Sequence, residues 1–134
     1  MHGLPRISEA AAIALHAADY MASREGLSSS QEIARGLGVS YNHLAKVLQR
    51  LTRAGLVSPA RGPKGGFTLS PSGRAARAGD YVEAVDGPMK LAGCLMKAKV
   101  CRRRECMFGG FLAGTNRRFE AVMKKKISEF SKRK

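Results

Sequence analysis

The chain has 134 residues, which suits one domain with an appendage, and its 44% hydrophobic content can bury a core. With aromatics at 6% and no Trp, that core must be mostly Ala, Leu, Val, Ile and Met. A net charge of +14 points to a polyanionic partner, while the lack of any apolar run of membrane-spanning length, or of a basic-then-apolar leader, argues against a membrane role and for the cytoplasm.

Residues 5–22 read as a first helix. Ser8 is its candidate N-cap, Glu9 sits in the first turn, and Ile7, Ala11, Ala14, Leu15, Ala18 and Met21 recur at helical spacing. Gly26 and Leu27 break the pattern. Ser28, Ser29 and Ser30 offer caps for a second helix with Ile33, Ala34 and Leu37 on one face, closed by Gly38. The run Gly36-Leu37-Gly38-Val39 is the tight turn of a helix-turn-helix. Ser40 then caps a third helix whose inward stripe is Leu44, Val47, Leu48 and Leu51. Its other face shows Tyr41, Asn42, His43, Lys46, Gln49, Arg50 and Arg53. Polar side chains followed by cations suit a helix laid in a DNA major groove. For the charges alone, a solvated face would be the better reading. The flanking turn and the basic hairpin that follows decide for DNA.

That hairpin is Arg61-Gly62-Pro63-Lys64-Gly65-Gly66-Phe67, between the short apolar segments Leu56-Val57 and Thr68-Leu69. The glycines permit tight backbone geometry, Pro63 stiffens the tip, and Arg61 and Lys64 carry charge to where a wing meets a phosphate backbone or minor groove. The fold expected is mainly α with a small β-wing: a winged helix-turn-helix followed by a long C-terminal dimerisation helix.

Residues 71–78 lead into a fourth helix around residues 80–85, stopped by Asp86-Gly87-Pro88. Residues 89–107 show no clean period, are rich in Lys and Arg, carry all three cysteines, and read as a loop. Residues 108–130 form the longest amphipathic stretch. Phe111, Leu112, Thr115, Phe119, Val122 and Ile127 belong to a stripe too long for a small domain to cover, and pairing with a second copy is the economical solution. Three units follow: a DNA-binding domain over 1–88, a cysteine loop over 89–107, and a dimerisation helix with basic tail over 108–134.

Cys94, Cys101 and Cys106 are separated by six and four residues, unlike the short knuckles of structural zinc sites. An odd, clustered set of thiols favours metal or redox chemistry over a disulfide framework. Wide spacing in a Gly-flanked loop resembles a pocket for something larger than one ion, such as a 2Fe-2S or 4Fe-4S cluster. Lys97, Lys99, Arg102, Arg103 and Arg104 would favour thiolate and offset a cluster's negative charge. Three thiolates leave one ligand to find, with Glu9, His2, His16, His43 and Glu105 as candidates. A cluster-free thiol switch and a zinc-bound nucleic-acid-binding protein are the alternatives. No Ser–His–Asp set, phosphate loop or catalytic carboxylate pair is evident, so neither an enzyme nor a small-molecule substrate is expected.

Taken in order, the helix-turn-helix, the Ser40-Tyr41-Asn42-His43-Leu44 segment, the Arg-Gly-Pro-Lys-Gly-Gly-Phe wing, the Ala-Val-Asp-Gly-Pro helix end, the three-cysteine loop and the long terminal helix resemble the IscR/NsrR-like winged-helix repressors of bacteria. The resemblance covers nearly the whole chain. It implies a homodimeric regulator of transcription that binds double-stranded DNA, with crossed C-terminal helices holding the dimer and an iron–sulfur cluster altering DNA affinity. It also implies that Cys94, Cys101 and Cys106 hold the cluster, that Arg61 reaches a minor groove, and that Ser40, Tyr41, Asn42, His43, Lys46, Arg50 and Lys64 contact DNA. One branch of this family takes a further ligand from a histidine three residues after the last cysteine, where this chain has Gly109. Another uses an acidic residue near the start of the first helix, supplied by the opposite protomer, and Glu9 stands there. Ala45 occupies the position at which some members carry a site-discriminating glutamate.

Overall fold

The computed structural model describes residues 4–96 and 106–131. Its elements run α1 (Glu9–Ala22), α2 (Ser30–Leu37), α3 (Tyr41–Arg53), β1 (Val57–Ala60), β2 (Gly66–Leu69), α4 (Pro71–Ala75), α5 (Ala78–Asp86), α6 (Gly109–Met123) and α7 (Ile127–Ser131). The chain is mainly helical with a two-stranded antiparallel wing, as expected.

Local chemistry sets the helix starts. The hydroxyls of Ser8, Ser29, Ser40 and Ser70 accept from the backbone N–H three residues on and so begin α1, α2, α3 and α4. The first helix therefore starts at Glu9 and not at Pro5, because Ser8 is extended. The stripes of α1 and α3 meet in one core, with Ala11, Ala14, Ala17 and Ala18 allowing close approach and Ile13, Met21, Leu44, Val47, Leu48 and Leu51 filling it. Tyr81 and Val82 enter from α5. The Tyr81 hydroxyl donates to the Gly73 carbonyl at 2.8 Å, which ties α5 to α4.

The wing is anchored by a third piece of chain. Val57 faces Leu69 and Ala60 faces Gly66 across the hairpin, and Ser28 pairs with Phe67 on its other side through two backbone bonds of 2.9 and 2.8 Å. Gly66 is required there, since a Cβ would lie 2.7 Å from the Ser28 carbonyl oxygen. At the tip, Gly62 takes a φ of 108°, a conformation that disfavours side chains.

Two expectations are corrected. The segment after the wing forms two short helices, α4 and α5, parted at Ala76 and Arg77. The long C-terminal stretch is also two helices. Around its break, the Ala78 N–H donates to the Lys125 carbonyl at 2.8 Å and the Ile127 N–H to the Ala76 carbonyl at 3.1 Å. This clamp ends α6 and drives Ile127 into the core against α1. The unit expected over residues 108–134 thus returns its last helix to the first unit.

Candidate nucleic-acid interface and cysteine loop

Helix α3 buries Leu44, Val47, Leu48 and Leu51 and turns its polar side out. Ser40, Tyr41, Asn42, Lys46, Gln49 and Arg53 are exposed and His43 is half-buried, with Tyr41 at 48% exposure although it is aromatic. Arg61 and Lys64 are exposed at the wing tip. A cleft of about 510 Å³ lies between α3 and the wing strands, lined among others by Ser30, Tyr41, Gln49, Arg53, Pro59 and Phe67. The cleft thus sets Tyr41, Gln49 and Arg53 of the expected polar helix face against the wing strands. Ser30 joins them; it was not readable from the helical period, because it is brought there by the Ser28–Phe67 pairing.

Arg50, exposed on the same face, also makes a contact within the chain. Its Nη1 donates to the Val85 carbonyl at 2.6 Å, which commits the guanidinium to the last turn of α5. The next residue, Asp86, accepts from the backbone N–H of Ser8 at 3.1 Å and from the Ser8 hydroxyl. The end of α5 therefore holds both the start of α1 and the recognition helix.

Cys94 and Cys106 are exposed, free thiols. Each accepts a backbone N–H from the residue two positions on, Met96 to Cys94 and Phe108 to Cys106, both at 3.4 Å. Hydrogen bonds to sulfur are among the contacts by which a protein tunes metal-bound thiolates. Cys101 lies outside the described residues, as do His2, Lys97, Lys99, Arg102, Arg103, Arg104 and Glu105. Among the described residues there is no group of three His, Cys, Asp or Glu side chains placed to hold a metal ion. The loop is tied to α6 by Asn116, whose Nδ2 donates to the Ala92 carbonyl at 3.0 Å, two residues before Cys94.

Of the candidate further ligands, Glu9 is exposed in the first turn of α1, beside the Ser8–Asp86 connection. His16 lines an apolar cleft of about 240 Å³ with Leu15, Asp19, Ile127 and Phe130, and neither described cysteine, Cys94 or Cys106, shares that lining. His43 stays on the α3 face.

Helix α6 divides the expected dimer stripe. Phe111 is 59% exposed and Val122 is also exposed, while Thr115 and Phe119 are half-buried. Leu112 and Ile127 are 1% and 2% exposed within the chain itself, which corrects their assignment to a seam between copies. Phe119 and Met123 turn toward α5 and line a cleft of about 390 Å³ with Asp80, Glu83 and Met89.

Among the described residues no helix is long and apolar enough to cross a membrane. The sequence profile of the Rrf2 family, described as an iron-dependent transcriptional regulator, matches residues 7–128. The structure is similar to that of CymR (YrzC), the global cysteine regulator of B. subtilis, with 22% identity and a TM-score of 0.78 over 98% of this chain and 99% of that one. T. potens IscR is similar at 21% identity and a TM-score of 0.70, covering 96% of this chain and 87% of that one. The oxidised form of Staphylococcus aureus CymR is similar at 21% identity and a TM-score of 0.68, covering 95% and 96%. At these identities the likeness is one of fold.

Proposed function

The chain belongs to the Rrf2 family of transcriptional regulators, and we propose that it binds double-stranded DNA as a homodimer and changes its DNA affinity through the thiolates of its cysteine loop. The observation that supports the DNA-binding half is the cleft that sets Tyr41, Gln49 and Arg53 of α3 against Pro59 and Phe67 of the wing strands, beside the exposed cations of the hairpin tip. Tyr41, Asn42, His43 and Lys46 read or touch the major groove, and Arg61 and Lys64 contact the flanking backbone or minor groove. The exposed face of α6 around Phe111 and Val122 meets its copy in the dimer.

Cys94, Cys101 and Cys106 are the ligands we assign to an iron–sulfur cluster, with Glu9 of the opposite protomer as the fourth. The fit rests on the exposure of Cys94 and Cys106 and on the backbone N–H bonds that their sulfurs accept, the kind of bond that tunes cluster sulfurs. Such a cluster supplies a centre that oxidants, nitric oxide or iron shortage can damage. A carboxylate is a harder ligand than thiolate and makes one corner of the site the labile one. The chain's own part is mechanical. Ala92 is held to α6 by Asn116, and the segment that follows α5 leads directly into the loop. A change in the loop therefore pulls on α5 and on the dimer helix together, a two-state arrangement suited to a switch.

The second reading is a cluster-free thiol switch, favoured by the similarity to CymR and to its oxidised form. In it two loop thiols form a disulfide, giving up two electrons and two protons to an oxidant such as peroxide. Cys94 and Cys106 are exposed and so open to an oxidant. Selecting duplexes from a random pool with anaerobically purified protein, and quantifying iron and sulfide in the same preparation, tests both halves. Sequence-selective binding with iron and sulfide present supports the cluster reading. Selective binding by metal-free protein supports the thiol switch, and no selectivity in either state removes both.

A further inference from the structure

We propose that Arg50 is a positioning residue for DNA recognition: its guanidinium straps the recognition helix to the end of α5 and does not itself contact DNA. The proposal rests on the reading of α3 as the recognition helix. Val85 is the penultimate residue of α5, so its carbonyl has no partner within the helix and points out at the negative end of the helix dipole. Arg50 supplies the missing donor at 2.6 Å from another helix. A charged donor on such a carbonyl is a strong form of hydrogen bond, and it acts as a helix C-cap provided across the structure.

Two neighbours make this junction matter for function. Asp86 holds the N-terminus of α1 through Ser8, so α1 and α3 are both fastened to the same two residues of α5. Gly87, with a φ of 81°, then turns the chain toward Met89, which packs on the core at the start of the cysteine-bearing segment. Arg50 is exposed, as Lys46 and Arg53 are, but it borders the buried Val47 and Leu51, and of the three it is the one whose guanidinium bonds to α5. The cation that helical spacing places among the DNA contacts is thereby used to fix the angle at which the others are presented.

Arg50→Met removes the donor and keeps most of the aliphatic stem. Two measurements decide: binding to a duplex selected with wild-type protein across a salt series, and amide hydrogen exchange of the DNA-free protein. The strap predicts about tenfold weaker specific binding, the size of one lost hydrogen bond to a charged group. It also predicts an unchanged slope of log affinity against log salt, and faster exchange along α3 without DNA. A direct phosphate contact would reduce the salt slope by about one and leave free-protein exchange as in wild type, and that result overturns the proposal. Should wild-type protein select no duplex, the DNA-binding reading of α3 fails on its own. The exchange comparison then still decides the strap, and unaltered exchange in α3 would rule it out.

Discussion

Ser8 and Asp86 are joined twice, the Ser8 backbone N–H donating to one carboxylate oxygen of Asp86 and the Ser8 hydroxyl to the other. The same hydroxyl accepts from the Ala11 N–H at 3.0 Å and caps α1. Asp86 thus orients the cap as well as linking residues 78 positions apart. Asp86→Ala should lower stability by about 1 kcal/mol, the scale of a lost cap or hydrogen bond at a solvent-accessible site. Urea denaturation of the metal-free protein measures it. A midpoint equal to wild type would mean that water replaces the carboxylate at no cost.

Tyr81 makes a pH prediction. Burial, with a smaller push from the Asp80 carboxylate and a small opposing pull from Arg74, holds its phenol well above the ordinary tyrosine range. A folded-state value raised above the unfolded one contributes stability that is complete below about pH 10 and is lost as pH climbs beyond it. Tyr81→Phe leaves the Gly73 carbonyl with only the longer bond from the Ala76 N–H, at 3.3 Å, and should cost about 1 kcal/mol at neutral pH. The gap between wild type and variant should narrow above pH 10, because only wild type must then keep a phenol protonated. A gap that stays constant to pH 11 would contradict this account of Tyr81.

The two faces of α6 should respond differently to substitution. Phe111→Asp or Val122→Asp puts a charge on the exposed face and should yield a folded monomer with weakened specific DNA binding, as read by sedimentation. Leu112→Ala acts inside the chain and should cost roughly 3 kcal/mol of stability with the dimer retained in the folded fraction. Wild type that sediments as a monomer at micromolar concentration would remove the dimer from the account.

Arg61 and Lys64 separate two kinds of DNA contact. Arg61→Ala should weaken binding to a selected duplex by about 1–3 kcal/mol, as expected for loss of a groove contact. Lys64→Ala should cost less and flatten the salt dependence, since a phosphate contact releases counterions. Equal affinity of Arg61→Ala and wild type at matched salt would show that the wing tip stays clear of DNA.

What could be read in the sequence was what short-range chemistry decides. Ser8, Ser29 and Ser40 announce their helices because a cap acts over three residues, and the 61–67 hairpin is announced by glycines that its turn and the Ser28 approach demand. The stripe of α3 was legible for the same reason. What escaped depends on distant partners. The apolar period runs straight through Lys124, Lys125 and Lys126, and only the pairing with Ala76 and Ala78 ends α6 there. Arg50 resembles its exposed neighbours in spacing and charge, and its commitment to α5 arises from a carbonyl 35 residues away. Likewise, nothing near Asn116 in the sequence indicates that it holds Ala92 beside Cys94.

The most direct measurement of the central claim is the affinity of one anaerobically purified preparation for its selected duplex, before and after its loop chemistry is changed. The cluster, or where none is present the reduced thiol state, is assayed first, and the same sample is then treated with nitric oxide or peroxide. The account predicts at least a tenfold change in affinity, about 1.4 kcal/mol of coupling between loop and DNA surface. It also predicts that Cys94→Ala and Cys106→Ala abolish the change while leaving helix content intact. Equal affinity in both states, or a response that persists in both cysteine variants, would contradict the claim that this loop controls DNA binding.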